Sequence, residues 1–229
     1  MCLAKLWFVA EGASYSRLFE LRLTGMNAEF YVNSIGIPRM VNQHQILVGL
    51  GGNLPSPNGS PRDTLREAVA KLSKSGLEGL EVSSLYRTAP VPDAAQPDFL
   101  NCVLAARTAL SAENLLSLFK ETEKAFGRQT SDRWSSRTLD IDLIAYSSSI
   151  LPSREIWDQV TYSKDASAYV EAVTVPHPRL HKRAFVLLPL MEIAPQWIHP
   201  CLKQSVKEMA KSAEVKLQAR NVVKISDSL

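Results

Sequence analysis

The chain has 229 residues, of which 45% are hydrophobic and 21% are charged. This composition predicts a globular protein with a core and excludes a chain that is disordered throughout. A formal net charge of +3 is too small to indicate nucleic-acid binding, and no apolar stretch is long enough to cross a membrane. Three widely spaced cysteines without a CxxC pair indicate neither a zinc site nor a disulfide framework, so we expect a cytoplasmic protein.

The sequence pattern divides the chain into three parts. Residues 1–44 have no clear period, which favours a disordered extension, a weak transit peptide or a start codon placed before Met26 or Met40. We assign this extension no function and expect residues 1–40 to be dispensable for activity. Residues 45–202 are predicted as the main domain with a surface insertion at 147–172, and 203–229 as a C-terminal helix and a fraying tail.

The main domain alternates strand and helix signals. Ser60 and Pro61 start a helix that Gly76 ends, and Ser111 caps a second helix that ends at Gly127. The order β-α-β-β-α-β predicts an α+β fold, a ferredoxin-like antiparallel sheet with helices packed on its faces. The predicted elements, in chain order, are strand 46–50, helix 60–76, strands 80–88 and 99–108, helix 111–127, strand 138–146, an extended segment at 173–177 and a partly helical stretch at 183–193.

Two aspartates alternate with apolar residues in the strand at 138–146. Leu139, Ile141 and Leu143 share one face, which points into the core, and Asp140 and Asp142 share the other. Two carboxylates roughly 6.5–7 Å apart along the backbone repel each other unless something neutralises them. A divalent cation pair does so, and oxygen ligands favour Mg²⁺. Two surface acids on a solvated strand are the alternative.

A loop rich in arginine and tryptophan precedes these aspartates. Arg128, Arg133 and Arg137 offer guanidinium forks that match phosphate oxygens. Trp134 either lies against an adenine ring or staples the loop. A solvated basic loop is the alternative, but acids and bases that meet at one strand end favour a metal–nucleotide site.

A second candidate pocket lies in the proline-rich loop at 89–98 and its flanks. Its backbone groups, fixed by proline, are suited to read the edge of a planar heterocycle, as is the amide of Asn101. Phe99 and Phe185 are candidates to flank such a ring, although single aromatic residues more often belong to a core. His177, between two prolines, precedes further basic residues, whereas the glycines before Asn53 predict only a tight turn because a Walker A ending is missing.

Taken together, these motifs resemble the 6-hydroxymethyl-7,8-dihydropterin pyrophosphokinases. The resemblance extends from about residue 46 to residue 200. The combined RW..RTLDID and VPHP.L..R.FVL..L.EIAP patterns are its most specific parts. The matching segments are residues 49–54, 84–90, 96–101, 123–128, 133–142, 175–177 and 183–187.

The resemblance implies a reaction and a set of site residues. It implies pyrophosphoryl transfer from ATP to the pterin and two Mg²⁺ ions on Asp140 and Asp142. We expect a monomer whose partners are the pterin and ATP, with no nucleic acid and no membrane. Arg128, Arg137 and Asp142 would serve catalysis. The residues implied at the ATP site are Glu123, Arg128, Trp134, Arg137, His177 and Arg183. The residues implied at the pterin site are Thr88, Pro90, Val91, Phe99, Asn101 and Phe185.

The chain departs from the family pattern at several positions. The loop between Arg128 and Arg133 is one residue shorter than in the common bacterial form, and a second arginine near Gln129 is missing. Gly52 stands where serine is frequent and Ala89 where proline is frequent. The insertion at 147–172 is longer than usual.

Three other classes of protein fit parts of the pattern. A two-metal phosphodiesterase would also use paired aspartates but usually needs more acidic or histidine ligands. An RNA-binding sheet would carry the RNP1 pattern, which is absent from the sequence. An inactive interaction module would not need both aspartates and the key arginines. The sequence therefore favours the transferase.

Overall fold

The computed structural model describes residues 18–23, 26–32, 38–41, 43–90, 95–128, 136–163, 165, 170 and 172–226. The chain divides into two compact units, Met1–Gln43 and His44–Leu229. The first unit contains an antiparallel meander of three strands, β1 (Leu18–Leu23), β2 (Met26–Val32) and β3 (Pro38–Val41). These strands were not among the predicted elements, although residues 19–23 and 26–30 alternate apolar and polar side chains over short runs.

The second unit is built around a six-stranded sheet. Its strands are β4 (His44–Gly52), β5 (Leu77–Val82), β6 (Leu85–Thr88), β7 (Phe99–Thr108), β8 (Asp140–Tyr146) and β9 (Val222–Ser226). Its helices are α1 (Pro61–Ser73), α2 (Ala112–Ala125), α3 (Arg154–Tyr162), α4 (Ala184–Ile193), α5 (Val206–Met209) and α6 (Ala213–Ala219), with a 3₁₀ turn at Leu180–Lys182.

The strand order explains how the site is assembled. The sheet runs β8-β4-β7-β6-β9, and β5 also pairs with β7, antiparallel throughout. Helix α1 joins β4 to β5 with β7 between them, and α2 joins β7 to β8 with β4 between them. This is the split β-α-β arrangement of the predicted α+β fold. The end of β4 therefore lies between the beginnings of β7 and β8.

Local signals fix the two connecting helices. The Ser60 hydroxyl accepts from the backbone N–H of Asp63, whose carboxylate accepts from the N–H of Ser60, so α1 starts in a capping box. At the start of α2, the Ser111 hydroxyl accepts from the backbone N–H of Asn114, without the reciprocal bond of a capping box. Gly127 follows α2 with a φ of 82°, a conformation that glycine adopts without a steric penalty.

Both faces of the sheet are covered. The core on the α1 and α2 side contains Val48, Leu104 and Phe119, and the core on the α4 to α6 side contains Leu47, Val103 and Leu187. The neighbours Leu47 and Val48 therefore point to opposite faces, as strand geometry requires. Burial of each such side chain contributes roughly 1.5–3 kcal/mol to stability.

Three sequence predictions need correction. The strand predicted at 80–88 is two strands, because regular pairing with β7 is interrupted at Ser83, whose hydroxyl accepts from the N–H of Val103 at 3.0 Å. The insertion at 147–172 is not only surface, since α3 buries Trp157 completely. The tail after Ala210 does not fray, because Val215 of α6 is buried and β9 pairs with β6.

Among the described residues, no helix is long and apolar enough to cross a membrane.

Candidate active site

One row of residues crosses the sheet at the site. Strand pairing sets Asp140 opposite Gly51 and Gly51 opposite Asn101. The row runs from β8 through β4 to β7, and Asn101 in turn pairs with Tyr86 of β6. Adjacent strands lie ~4.8 Å apart, so the backbones at Asp140 and Asn101 are roughly 10 Å apart. The glycine between them leaves this part of the sheet without a side chain.

Asp140 lies at the charged end of the row and binds two arginines. Arg128 Nη1 donates to its Oδ1 at 2.6 Å, and Arg137 Nη1 donates to the same oxygen at 2.8 Å. Burial and the neighbouring carboxylate of Asp142 raise the pKa of Asp140, while Arg137 and Arg128 oppose the shift. The side chain remains 29% exposed, so it is not closed off from a ligand.

Glu123 supports this cluster from the last turn of α2. Its Oε1 accepts from the backbone N–H of Ile141 at 2.7 Å and from Arg128. Burial raises the pKa of Glu123 to about 7, although the hydrogen bond from Ile141 and the charge of Arg128 act in the opposite direction. Glu123 therefore fixes both the start of β8 and the position of the Arg128 guanidinium.

Asp142 lies two residues further along β8, on the same face as Asp140. The alternation expected from the sequence is confirmed, since Ile141 and Leu143 are buried while both aspartates are partly exposed. Within the described part of the chain, the carboxylate of Asp142 has no hydrogen-bond or ion-pair partner. Burial lowers the pKa of Arg183, and the charge of Asp142 acts in the opposite direction, which indicates that Arg183 faces this carboxylate.

His177 lies beside Arg183 at the edge of the cluster. Its Nδ1 accepts from the backbone N–H of Arg179 at 3.1 Å, and its Nε2 lies 3.5 Å from Arg183 Nη1. Burial, followed by the charge of Arg183, lowers the pKa of His177 to about 3. The imidazole is therefore neutral at neutral pH and offers a polar edge without adding charge.

The other end of the row is neutral. Asn101 is buried and its Nδ2 donates to the hydroxyl of Thr88 at 2.9 Å. A Cβ at Gly51 would lie 2.8 Å from the amide oxygen of Asn101, so glycine leaves room for that amide. Phe99 and Pro90 lie near this end and are partly buried. This part of the sheet presents amide and hydroxyl groups rather than charges.

Asn53 connects the two ends, a role that its place in a turn did not predict. Its Nδ2 donates to the carbonyl oxygen of Pro97 at 3.0 Å, and its Oδ1 accepts from the N–H of Arg137 at 2.8 Å. The side chain is 3% exposed. The sequence did contain a signal, because Asn53 directly follows an apolar strand. A polar side chain that is buried at such a position needs hydrogen-bond partners.

The structure brings most of the predicted residues to one edge of the sheet. Arg128, Arg137, Asp140, Asp142, Glu123, His177 and Arg183 form the charged end, and Thr88 and Asn101 the neutral end. The ring sandwich expected of Phe99 and Phe185 stays a prediction, because two rings that flank a substrate need not contact each other. The guanidinium of Arg183 lies 5.6 Å from the centre of the Phe185 ring. Val91 and Trp134 lie outside the described residues.

Comparison with known proteins gives this site a family. Residues 47–195 match the family described as 7,8-dihydro-6-hydroxymethylpterin-pyrophosphokinase (HPPK). The chain belongs to this family. The match includes every residue that the site contributes, from Gly51 to Arg183.

HPPK relatives are similar over most of the chain. A 2-amino-4-hydroxy-6-hydroxymethyldihydropteridine pyrophosphokinase of Synechocystis is 37% identical over 158 residues, which cover 69% of this chain and 70% of the relative. The enzyme of the same name from Haemophilus influenzae is 32% identical over 74% of this chain and 96% of its own length.

Solved HPPK-DHPS structures share the fold. One, in complex with substrates, has a TM-score of 0.56 and 14% identity, and the match covers 81% of this chain and 47% of that protein. The wild-type Plasmodium falciparum protein with pteroate has the same TM-score, with 13% identity, 82% coverage of this chain and 47% of its own. The chain thus spans about half the length of these structures.

The charged end suits the magnesium that the HPPK family implies. Asp140 Oδ2 and the carboxylate of Asp142 are oxygen donors on one strand face, and Mg²⁺ is commonly held by one or two carboxylates together with water and substrate phosphates. Among the described residues, no cluster of three or more His, Cys, Asp or Glu side chains is arranged to hold a metal. A site completed by a nucleotide therefore fits better than a metal held by protein alone.

Proposed function

We propose that this chain transfers the terminal pyrophosphoryl group of MgATP to 6-hydroxymethyl-7,8-dihydropterin, giving the pterin diphosphate and AMP in folate biosynthesis. Membership of the HPPK family supports the reaction. The observation that carries the assignment of substrates to residues is the row from Asp140 through Gly51 to Asn101. The row connects a charged site on β8 to a neutral site on β7 across β4, which has no side chain at Gly51.

The charged end would bind the triphosphate. Arg128 and Arg137 carry guanidinium groups that match phosphate oxygens in geometry and charge. Both already converge on one oxygen of Asp140. Arg183 adds a third positive charge and His177 a neutral polar edge. Asp140 and Asp142 would hold Mg²⁺, two ions in the form that the family implies, which would neutralise charge on the phosphates.

The neutral end would bind the pterin. Asn101 offers one acceptor and, beyond its bond to Thr88, one further N–H to the edge of the ring. Thr88 and Pro90 would contribute backbone contacts and Phe99 an aromatic face. Val91, Phe185 and Trp134 belong to the proposal through the family resemblance alone. A buried amide is selective, because a ring without matching groups would leave it unpaired.

The chemistry follows from this placement. The hydroxymethyl oxygen of the pterin attacks the β-phosphorus of ATP, and the bond from that phosphorus to the bridging α-phosphate oxygen breaks. AMP leaves with the electron pair of that bond. The hydroxyl proton passes to the Asp142 carboxylate, which has no partner among the described residues. The protein contributes positioning and fixed positive charge, which supply most of the catalysis in phosphoryl transfer.

Both ends of the row belong to one sheet, so we propose that a single copy of the chain is the catalyst.

Incubation of the purified protein with ATP, Mg²⁺ and the reduced pterin should give pterin diphosphate and AMP in equal amounts. Sedimentation during turnover should show a monomer. Release of phosphate or pyrophosphate without pterin would instead support a hydrolase such as the two-metal phosphodiesterase.

A further inference from the structure

The insertion at 147–172 contacts the segment that carries His177. Leu151 forms a β-bridge with Val175, in which Leu151 N–H donates at 2.8 Å and Val175 N–H donates at 3.2 Å. Trp157 of α3 donates its indole N–H to the carbonyl oxygen of Pro176 at 2.6 Å. Two consecutive residues before His177 are therefore held by the insertion.

The main sheet holds the same segment from the other side. The N–H of His177 donates to the carbonyl oxygen of Ile144 in β8 at 2.8 Å. Ile144 follows Asp142 by two residues on the same face of the strand. The His177 backbone is thus held between the metal-binding strand and the insertion.

Trp157 is a core residue of the insertion and not part of its exposed surface. Its side chain is completely buried, and its ring makes an edge contact with His199 at 5.3 Å between centroids. The carbonyl that it binds belongs to Pro176, which is also buried. Without the indole N–H, this carbonyl would lose the donor that it has in the structure, and an unsatisfied buried carbonyl is costly.

We propose that Trp157 is a positioning residue for the nucleotide site, which acts through Pro176 to set the place of the His177 imidazole. The inference rests on the proposed function, because it assumes that His177 faces ATP. This proposal gives the insertion at 147–172 a function, which the sequence alone did not indicate. The predicted consequence concerns ATP and leaves the pterin site unaffected, since Thr88 and Asn101 bond each other on β6 and β7, whereas Trp157 of α3 bonds the segment before His177.

The test compares two variants of the same helix. Trp157→Phe keeps an aromatic ring and removes the donor. Arg154→Ala is the control, because it removes the contacts of the guanidinium with the carbonyl oxygen of Cys201, with Asp158 and with the Trp157 ring, and leaves the indole N–H in place. If Trp157→Phe does not fold, replacement of Trp157 by 3-benzothienylalanine removes the N–H at unchanged shape.

Dissociation constants for α,β-methylene-ATP with Mg²⁺, and for the pterin, are measured by calorimetry. We expect Trp157→Phe to weaken nucleotide binding about five- to tenfold, the loss expected for one buried hydrogen bond. Arg154→Ala should change it less than about twofold, which is within the scatter of surface substitutions. Pterin binding should stay the same in both variants.

A double-mutant cycle with His177→Ala separates positioning from general destabilisation. If Trp157 acts through His177, Trp157→Phe should have no further effect on nucleotide binding once the imidazole is gone. Equal losses in both backgrounds, or equal losses with Arg154→Ala, would overturn the inference. Failure of the proposed function has a different signature, since the wild-type chain would then neither bind the nucleotide nor form pterin diphosphate.

Discussion

The two ends of the residue row differ in how they are held. At the charged end, Arg128 and Arg137 share one oxygen of Asp140, and Glu123 holds both Arg128 and the backbone of β8. At the neutral end, Asn101 and Thr88 form one hydrogen bond, with no charged partner. The first is a network of mutually dependent charges, and the second is a small set of fixed donors and acceptors.

This difference assigns the two ends different parts of the reaction. Charged groups that are fixed in place stabilise charge as it builds on the transferring group, so their loss reduces turnover. Neutral groups in a pocket recognise the resting substrate, so their loss reduces affinity. Variants at the aspartates and at Arg137 test the first part of this division through turnover, and a variant at Asn101 tests the second part through affinity.

The largest effect is expected at the aspartates. Asp140→Asn or Asp142→Asn should lower turnover at least about a hundredfold, because a lost metal ligand forfeits several kcal/mol of charge stabilisation. The fold should remain, since burial raises the pKa of Asp140 and a neutral amide is tolerated there. Steady-state rates at saturating Mg²⁺ and circular dichroism check both points. Near-wild-type turnover in either variant would contradict the metal assignment.

Arg137 should show the next largest effect. Arg137→Ala should slow transfer roughly tenfold to a hundredfold, the range for loss of one charge-assisted contact in the transition state, and leave pterin affinity unchanged. Arg137→Lys should rescue the rate only in part, because an ammonium lacks the guanidinium fork. Stopped-flow transfer rates and pterin dissociation constants separate the two effects. Unchanged transfer with weaker pterin binding would place Arg137 at the wrong end of the row.

Asn101 should show the opposite pattern. Asn101→Ala should weaken pterin binding about tenfold, the cost of one or two hydrogen bonds, and leave affinity for the ATP analogue within about twofold. Asn114→Ala, a change at an exposed asparagine of α2, is the control. Titration calorimetry with each ligand checks this. If Asn101→Ala lowered the affinity for the ATP analogue and left the dissociation constant of the pterin unchanged, Asn101 would belong to the nucleotide site instead.

The smallest effect is expected beyond the neutral end, at Glu192 of α4. Its carboxylate accepts from the Tyr86 hydroxyl at 2.6 Å and from the N–H of Ser84 at 2.7 Å. Burial alone would raise the pKa of Glu192, but these hydrogen bonds, with Lys224, lower it to about 2. A lowered pKa contributes stability above the unfolded value, about 4.3 for glutamate, which is lost as pH falls toward 2.

Glu192→Gln should therefore lower the free energy of unfolding by about 1–2 kcal/mol at pH 7, as expected for hydrogen bonds to a charged group. The difference from the wild type should shrink as pH falls from about 4.3 toward 2. Urea denaturation at several pH values measures it, with the exposed Glu81→Gln as a control. A difference that stays constant over this range would argue against an ionised Glu192.

Local patterns predicted much of the fold and of the site. The alternation of Asp140 and Asp142 with apolar neighbours and the serine caps of α1 and α2 are short-range signals, and both are confirmed. What the sequence could not predict depends on distant partners. Asn53 has its role only because Pro97, Ser136 and Arg137 meet it, 44 to 84 positions away.

The insertion and the tail show the same limit. Trp157 gave no periodic signal, and its burial arises from Pro176 and His199, which lie far along the chain. The charged tail was expected to fray because its composition is polar. Instead, β9 is ordered by pairing with β6, and Lys224 forms an ion pair with Glu192 at 3.1 Å. Tertiary partners outweigh local propensity in both cases.

The most direct measurement is the identity of the nucleotide product. The protein is incubated with ATP labelled at the α-phosphorus, Mg²⁺ and 6-hydroxymethyl-7,8-dihydropterin, and the products are separated by chromatography. We expect AMP and pterin diphosphate in a one-to-one ratio, neither without the pterin, and neither with Asp142→Asn. ADP with pterin monophosphate, or AMP formed without the pterin, would contradict the account.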